Sequence, residues 1–160
     1  MNYILFDGPY RNNLLPFTFT RPVADIRVGI LTIRQKWESY LEYTTTTVTE
    51  DYLSDKFPMV EMEENIMINA SFLPNMEVVE FVKNLSQNQA LFKGEDVIAF
   101  FAKEGEEVKD FSTFEAVEFE GDILKIEHTW DLFAKNGEAI AEDFNFITKD
   151  RQSQPIPATV

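Results

Sequence analysis

Proline stands at positions 9, 16 and 22 of this chain, and no other feature limits its fold so strongly. Proline fixes its own φ, lacks an amide donor and pushes the residue before it away from the helical region. The chain therefore cannot settle into a helix before about Ala24. Ahead of these prolines, Tyr3 to Phe6 is a short apolar run closed at once by Asp7-Gly8-Pro9, a turn. After Gly29 a helical pattern begins, with Ile30, Ile33, Trp37 and Leu41 on one face. The opening segment predicts a strand, a long polar loop and a helix.

The same alternation continues. Thr44 to Thr49 is β-branched and reads as a second strand near an edge; Asp51 to Phe57 reads as a helical turn stopped by Pro58. Asn65 to Ala70 is a third strand, and Asn75 caps a helix that turns Val78, Val79, Val82 and Leu85 inward. Gln89 to Lys93 and Asp96 to Phe101 form a hairpin about Gly94-Glu95, with Phe100 and Phe101 as core. Lys103 to Asp110 is a charged loop, and Phe114 to Phe119 and Ile123 to Ile126 are two further strands about Gly121-Asp122. A last helix opens at His128-Thr129, with Thr129 as its cap, and Trp130, Phe133, Gly137, Ile140 and Phe144 recur at helical spacing to close the core. These elements predict an α/β fold in three layers: a mostly parallel sheet with strand one central, helices on both faces and the later strands as a small antiparallel appendage. Residues 1–150 form the domain and 151–160, with two prolines and no periodicity, a linker or frayed tail.

Charge gives the first pointer to chemistry. Four of the five arginines, Arg11, Arg21, Arg27 and Arg34, lie in the first 36 residues, a segment of net +3 in a chain of net −14. A guanidinium offers paired donors suited to phosphate or carboxylate oxygens, so the cluster is either an anion site or a set of ion pairs with the acidic remainder. A chain this acidic is ill suited to nucleic acid, whose binding rests on basic surface. No apolar run approaches the roughly 20 residues that span a bilayer, so no membrane role is expected. The absence of cysteine and of a signal-peptide pattern points to the cytoplasm.

Leu14-Leu15-Pro16-Phe17-Thr18-Phe19-Thr20-Arg21-Pro22-Val23-Ala24, continuing to Val28-Gly29, resembles the opening of bacterial sugar nucleotidyltransferases of the N-acetylglucosamine-1-phosphate uridylyltransferase type. Closer still, it is similar to a branch in which a short nucleotidyltransferase-like domain precedes a left-handed β-helix of acyltransferase type. Thr129-Trp130-Asp131-Leu132 with Asn136 resembles the Pro-Trp-Asp-Leu-x-x-x-Asn signature near the end of that catalytic domain. The resemblance implies an abbreviated, Rossmann-like nucleotide-diphospho-sugar transferase fold. It also implies the joining of a nucleoside triphosphate to a sugar 1-phosphate with release of pyrophosphate, and magnesium as cofactor.

The chain departs from the family pattern at three places. Gly8 is the only glycine of the phosphate loop, Val23 stands where a Pro-Lys lysine is usual, and Asn69-Ala70-Ser71 replaces Asn-Gly-Asp, whose aspartate holds the metal. Anchored on Pro16, Asn13 takes the slot of the family's loop arginine, with Arg11 two residues earlier. The resemblance thus implies phosphate contacts from Arg11, Asn12, Asn13, Arg21 and Arg27, with Arg11 and Arg21 on the triphosphate, Arg27 nearer the sugar phosphate and Arg21 as the catalytic cation. Asp7 is a substitute carboxylate for magnesium or simply a turn residue. Two functions stay open: a nucleotidyltransferase with altered loop chemistry, or a non-catalytic nucleotide- or sugar-phosphate-binding or assembly module for an attached β-helix domain, through which the protein could form homo-oligomers.

Overall fold

The computed structural model describes residues 1–106, 108 and 110–156. Its elements follow in the order β1 (Asn2–Phe6), α1 (Ile33–Leu41), β2 (Thr46–Val48), α2 (Asp51–Ser54), β3 (Glu64–Asn69), α3 (Met76–Lys83), β4 (Gln89–Lys93), β5 (Asp96–Lys103), β6 (Glu115–Glu118), α4 (Asp131–Ala134) and α5 (Asn136–Thr148). All six strands share one sheet in the order β2-β1-β3-β5-β4-β6. Pairing is parallel for β1 with β2, β1 with β3 and β4 with β6, and antiparallel where β5 meets β3 and β4. The α/β class and the mostly parallel sheet agree with the sequence reading.

Three details of that reading are corrected. β1 lies one position in from the edge, because both of its parallel neighbours come from the first half of the chain and β5 and β4 extend the sheet beyond β3. The later strands make no separate appendage: β6 pairs with β4, and residues 123–126 contribute only an isolated bridge between Phe72 and Lys125. The long helices all lie on one face. Ile33, Trp37 and Leu41 of α1, Val78, Val79 and Val82 of α3 and Ala139 of α5 share a core with Tyr3, Leu5, Ile66, Ile68, Leu91 and Phe101 of the sheet. Strand side chains alternate in direction, and on the opposite face Phe6, Met67, Phe92 and Phe100 meet Val108, Phe111 and Phe114. The third layer is thus an aromatic loop layer rather than a helical one.

Local chemistry explains the boundaries. Helix α1 starts three residues later than periodicity suggests because Thr32 and Gln35 form a capping box, each side chain bonding the other's amide. Ile30 stays outside the helix and is exposed. Gly29 holds φ +79°, and a Cβ there would lie 2.8 Å from the Ala139 carbonyl, so the turn into α1 packs directly on α5. Asn75 caps α3 by accepting from the Val78 amide, as its sequence position suggests.

The C-terminal helices differ most from expectation. Thr129 caps nothing; instead the Asp131 carboxylate accepts from the amides of Glu127 and His128, and burial of its charge is outweighed by these bonds and by Lys135, which hold its pKa below the ordinary value. Trp130, Phe133, Ile140 and Phe144 are exposed, Phe133 at 77%. Helix α5 buries Ala139 and Asp143. Asp143 accepts from the amides of Ile30 and Leu31 and pairs with Lys36 of α1, itself buried. A buried ion pair, its carboxylate also bonded to two amides, thus occupies the position that an aromatic stripe was expected to fill. Residues 151–156 carry no regular structure; part of the loop expected over 103–110 and of the tail expected over 151–160 lies outside the described residues.

Candidate functional site

The loop from β1 to α1 carries three arginines and the first turn of α1 a fourth, Arg34, of the same chemistry and two different surroundings. It is pinned to the sheet at both ends of its first turn. A Cβ on Gly8 would lie 2.4 Å from Asn69 Oδ1 at the end of β3, so only glycine lets the loop pass so close. Asn69 in turn accepts from the Ser71 amide and donates to the Val97 carbonyl, while the Ser71 hydroxyl is buried without a hydrogen-bond partner among the described residues.

Arg11 is closed in. Its Nε donates to Asp7 Oδ2 at 3.0 Å, and one terminal nitrogen donates to the Thr18 carbonyl at 2.6 Å and the Tyr52 hydroxyl at 3.0 Å. Burial works against its charge, but Tyr52 and Asp7 hold its pKa above the ordinary value. Asp7 is equally occupied: Oδ1 takes the Val23 amide at 2.7 Å, and Oδ2 takes the Thr49 hydroxyl at 2.6 Å besides Arg11. Its side chain is only 6% exposed, and burial pushes its pKa up against the pull of Thr49, Val23 and Arg11. Together they tie β1, the loop, β2 and α2. Arg34 is closed in likewise, with Asp25 at 2.7 Å, the Thr45 carbonyl at 3.1 Å and the Thr47 hydroxyl.

Arg21 and Arg27 are open. Both are exposed. Neither makes an ion pair among the described residues, and Arg27 donates only to the nearby Ile30 carbonyl. They line one cavity of about 360 Å³ with Phe17, Ile26, Leu132, Phe133 and Asn136, between the loop and the start of the C-terminal helices. No carboxylate of the described residues lines it. A second cleft, of about 450 Å³, lies at the carboxyl ends of β1 and β2, where ligands of open α/β sheets are usually found. Its charged lining is Asp7, Glu50 and Asp51 against Arg11 alone, and Asn12 belongs to it as well. A polyphosphate there would face three carboxylates and one engaged guanidinium. Asn13 is exposed and lines neither space.

The sequence-derived contacts thus separate. Arg21 and Arg27 are brought together; Arg11 and Asn12 stand on the acidic cleft. The cation expected at Asp7 does not fit the residues present. Three hydrogen bonds, from Arg11, the Val23 amide and the Thr49 hydroxyl, converge on that one carboxylate, and among the described residues no three acidic or imidazole side chains are grouped to hold a metal ion. Phe17, Leu132 and Phe133 were not foreseen as site residues, because aromatic spacing reads equally well as core.

Elsewhere on the same side, Lys125 lies 2.6 Å from both Asp96 and Glu127 and 4.2 Å above the Tyr10 ring. Although burial disfavours its charge, those partners raise its pKa. It is a satisfied clasp rather than a free cation. No helix among the described residues is long and apolar enough to cross a membrane.

Comparisons agree with this architecture. The fold is similar to a crystal structure of a protein from Bacillus anthracis assigned as a glucose-1-phosphate thymidylyltransferase and crystallised with sucrose. The two share 12% identity and a TM-score of 0.51 over 97% of this chain and 98% of the other. At that identity the likeness concerns the fold alone. No curated protein matches the chain in sequence. A family profile for sugar nucleotidyl transferases matches residues 3–152, nearly the whole length, and on that match the chain belongs to the sugar nucleotidyl transferase family.

Proposed function

We propose that this domain binds a nucleoside triphosphate and a sugar 1-phosphate, with Arg21 on the triphosphate and Arg27 nearer the sugar phosphate. The reaction in view is nucleotidyl transfer: a sugar-phosphate oxygen attacks the α-phosphorus, the bond to the β-phosphate oxygen breaks, and pyrophosphate leaves. Such chemistry asks the protein mainly to align the partners and to meet developing negative charge with fixed cations. The observation that carries this reading is the cavity where two exposed guanidinium groups, with no ion-pair partner and no lining carboxylate among the described residues, face solvent. In this reading Arg21 meets the charge that accumulates on the departing pyrophosphate, which gives it the catalytic role.

A second reading, binding without turnover, is favoured by the occupied carboxylate of Asp7. One titration series separates them. Nucleoside triphosphates are titrated calorimetrically into the wild type and into Arg21→Ala, and pyrophosphate release is then followed with sugar 1-phosphates. Loss of one charge-assisted contact costs about 1.5–3 kcal/mol, or roughly ten- to a hundredfold in affinity. Equal affinity in the two proteins removes the phosphate role of Arg21. Binding with pyrophosphate release supports transfer, and binding without it leaves the second reading.

A further inference from the structure

The C-terminal helices leave an apolar seam in water. Lys135 joins α4 to α5 without a break: its amide donates to the Asp131 carbonyl and its own carbonyl accepts from the Ala139 amide. Along this run Trp130, Phe133, Gly137, Ile140, Phe144 and Ile147 alternate three and four residues apart, the a/d pattern of a helix that pairs with another helix. The side of α5 that meets the core is a different one, marked by buried Ala139 and Asp143. Trp130 and Phe144 are 63% and 58% exposed, and Phe133 and Ile140 are exposed with them. Glu138 and Glu142 line a separate cavity with Leu73 and Pro74, and every a, d and e position from 130 to 148 is uncharged. Aromatic surface of this extent marks an interaction face.

We propose that a second copy of this chain covers the seam, the two helices running antiparallel about a two-fold axis level with Glu138 and Ala139. Such an axis sets Gly137 against Ile140, Phe133 against Phe144 and Trp130 against Ile147, each pair made twice, as a self-complementary interface requires. Nothing lies within 4 Å of the place a Cβ would take on Gly137, so the glycine leaves a hollow for the other copy's Ile140. Charge selects the same occupant, because two chains of net −14 meet most readily across an uncharged strip. Trp130, Phe133 and Phe144 leave on the order of 400 Å² open between them. Ile140 and the small residues beside the seam bring the face to roughly 600 Å² per copy, the low end for a specific pair. The helices are already folded on the core, so pairing carries no cost of helix nucleation.

The test is sedimentation equilibrium of the whole chain from about 1 to 200 µM, the range in which an interface of this size should dissociate. The wild type is expected to pass from monomer to dimer across that range. Ile140→Glu combined with Phe144→Glu places like charges in the seam and should weaken the dimer tenfold or more, as should Gly137→Lys, whose side chain fills the hollow. Thermal melts at the lowest concentration check that both variants fold, and Gly137→Lys meets no neighbouring atom in the single chain. A wild type that stays monomeric throughout, or a dimer indifferent to both variants, overturns the proposal. The pairing does not rest on the phosphate assignment, since neither variant alters a residue lining the arginine cavity.

Discussion

Arg11 and Arg21 stand ten positions apart in one loop and have opposite fates. Arg11 is 10% exposed at its side chain and spends its donors on Asp7, Thr18 and Tyr52. Arg21 is exposed and has no ion-pair partner among the described residues. Arg34 follows Arg11, and Arg27 follows Arg21. The loop's short 3-10 turns, Arg11–Leu14, Phe17–Phe19 and Val23–Asp25, leave backbone carbonyls that side chains must satisfy. Thr18 and Thr45 offer carbonyls that Arg11 and Arg34 take up. Half of the cluster holds the loop in shape so that the other half can be presented. In an acidic protein, a cation left unpaired is the one worth assigning to a ligand.

The comparison breaks most readily at Arg11. Arg11→Ala leaves a buried Asp7 without its cation and frees the Thr18 carbonyl, which should cost about 3–5 kcal/mol of folding stability. For a chain of this size each kcal/mol moves the melting midpoint by roughly 2–4 °C, so calorimetry should show a fall on the order of 10 °C. A shift under about 2 °C would mean that Arg11 is as free in solution as Arg21. Arg34→Ala comes next. Its partners are less buried, with Arg34 and Asp25 side chains 19% and 23% exposed, and a loss of about 2 kcal/mol is expected in urea unfolding. Arg21→Ala and Arg27→Ala should each stay within about 0.5 kcal/mol of wild type, as surface changes usually do, while affinity for triphosphate falls. A large stability loss at Arg21 would move it into the structural half.

The sequence shows some of this and hides the rest for identifiable reasons. Strand β1, the cap of α3 and the β4–β5 hairpin were legible because each depends on neighbours in the chain: an apolar run before Gly8, Asn75 three residues before Val78, Gly94 between two strands. Helix α5 was misread because periodicity finds Phe133, Ile140 and Phe144 but cannot see that Asp143 meets Lys36 across 107 positions. The pair satisfies a buried charge, and the aromatic stripe is left to the surface. The arginine cluster was legible as a cluster. Its division was not, because the partners that close Arg11 and Arg34 are mainly backbone carbonyls and distant hydroxyls, which carry no pattern. The substitution of Ser71 for a metal-holding aspartate was visible in sequence, whereas the occupation of Asp7 required the fold.

The smallest effect concerns the pH dependence of the Asp7–Arg11 clasp. Burial raises the Asp7 pKa above its ordinary 3.8 despite the opposing bonds. A raised pKa means that the native state holds the proton more tightly than the unfolded chain, so the stability that Asp7 contributes is full below about 3.8 and is lost as pH rises through the native value. Other carboxylates titrate in the same range, and Asp131 runs the opposite way, so the wild-type curve alone is not informative. The difference between wild type and Asp7→Asn isolates the group: asparagine keeps an acceptor for the Val23 amide and has no proton to lose. Chemical denaturation from pH 3 to 7 should show the wild type's advantage over Asp7→Asn shrinking as pH rises, then levelling off. An advantage that grows with pH would show that Arg11 outweighs burial and that Asp7 is an ordinary stabilising ion pair. In that case the clasp would hold through charge, and it would weaken on acidification. If the advantage shrinks as expected, the clasp is held by its hydrogen bonds and packing, and the ionised carboxylate is a cost that the loop geometry imposes.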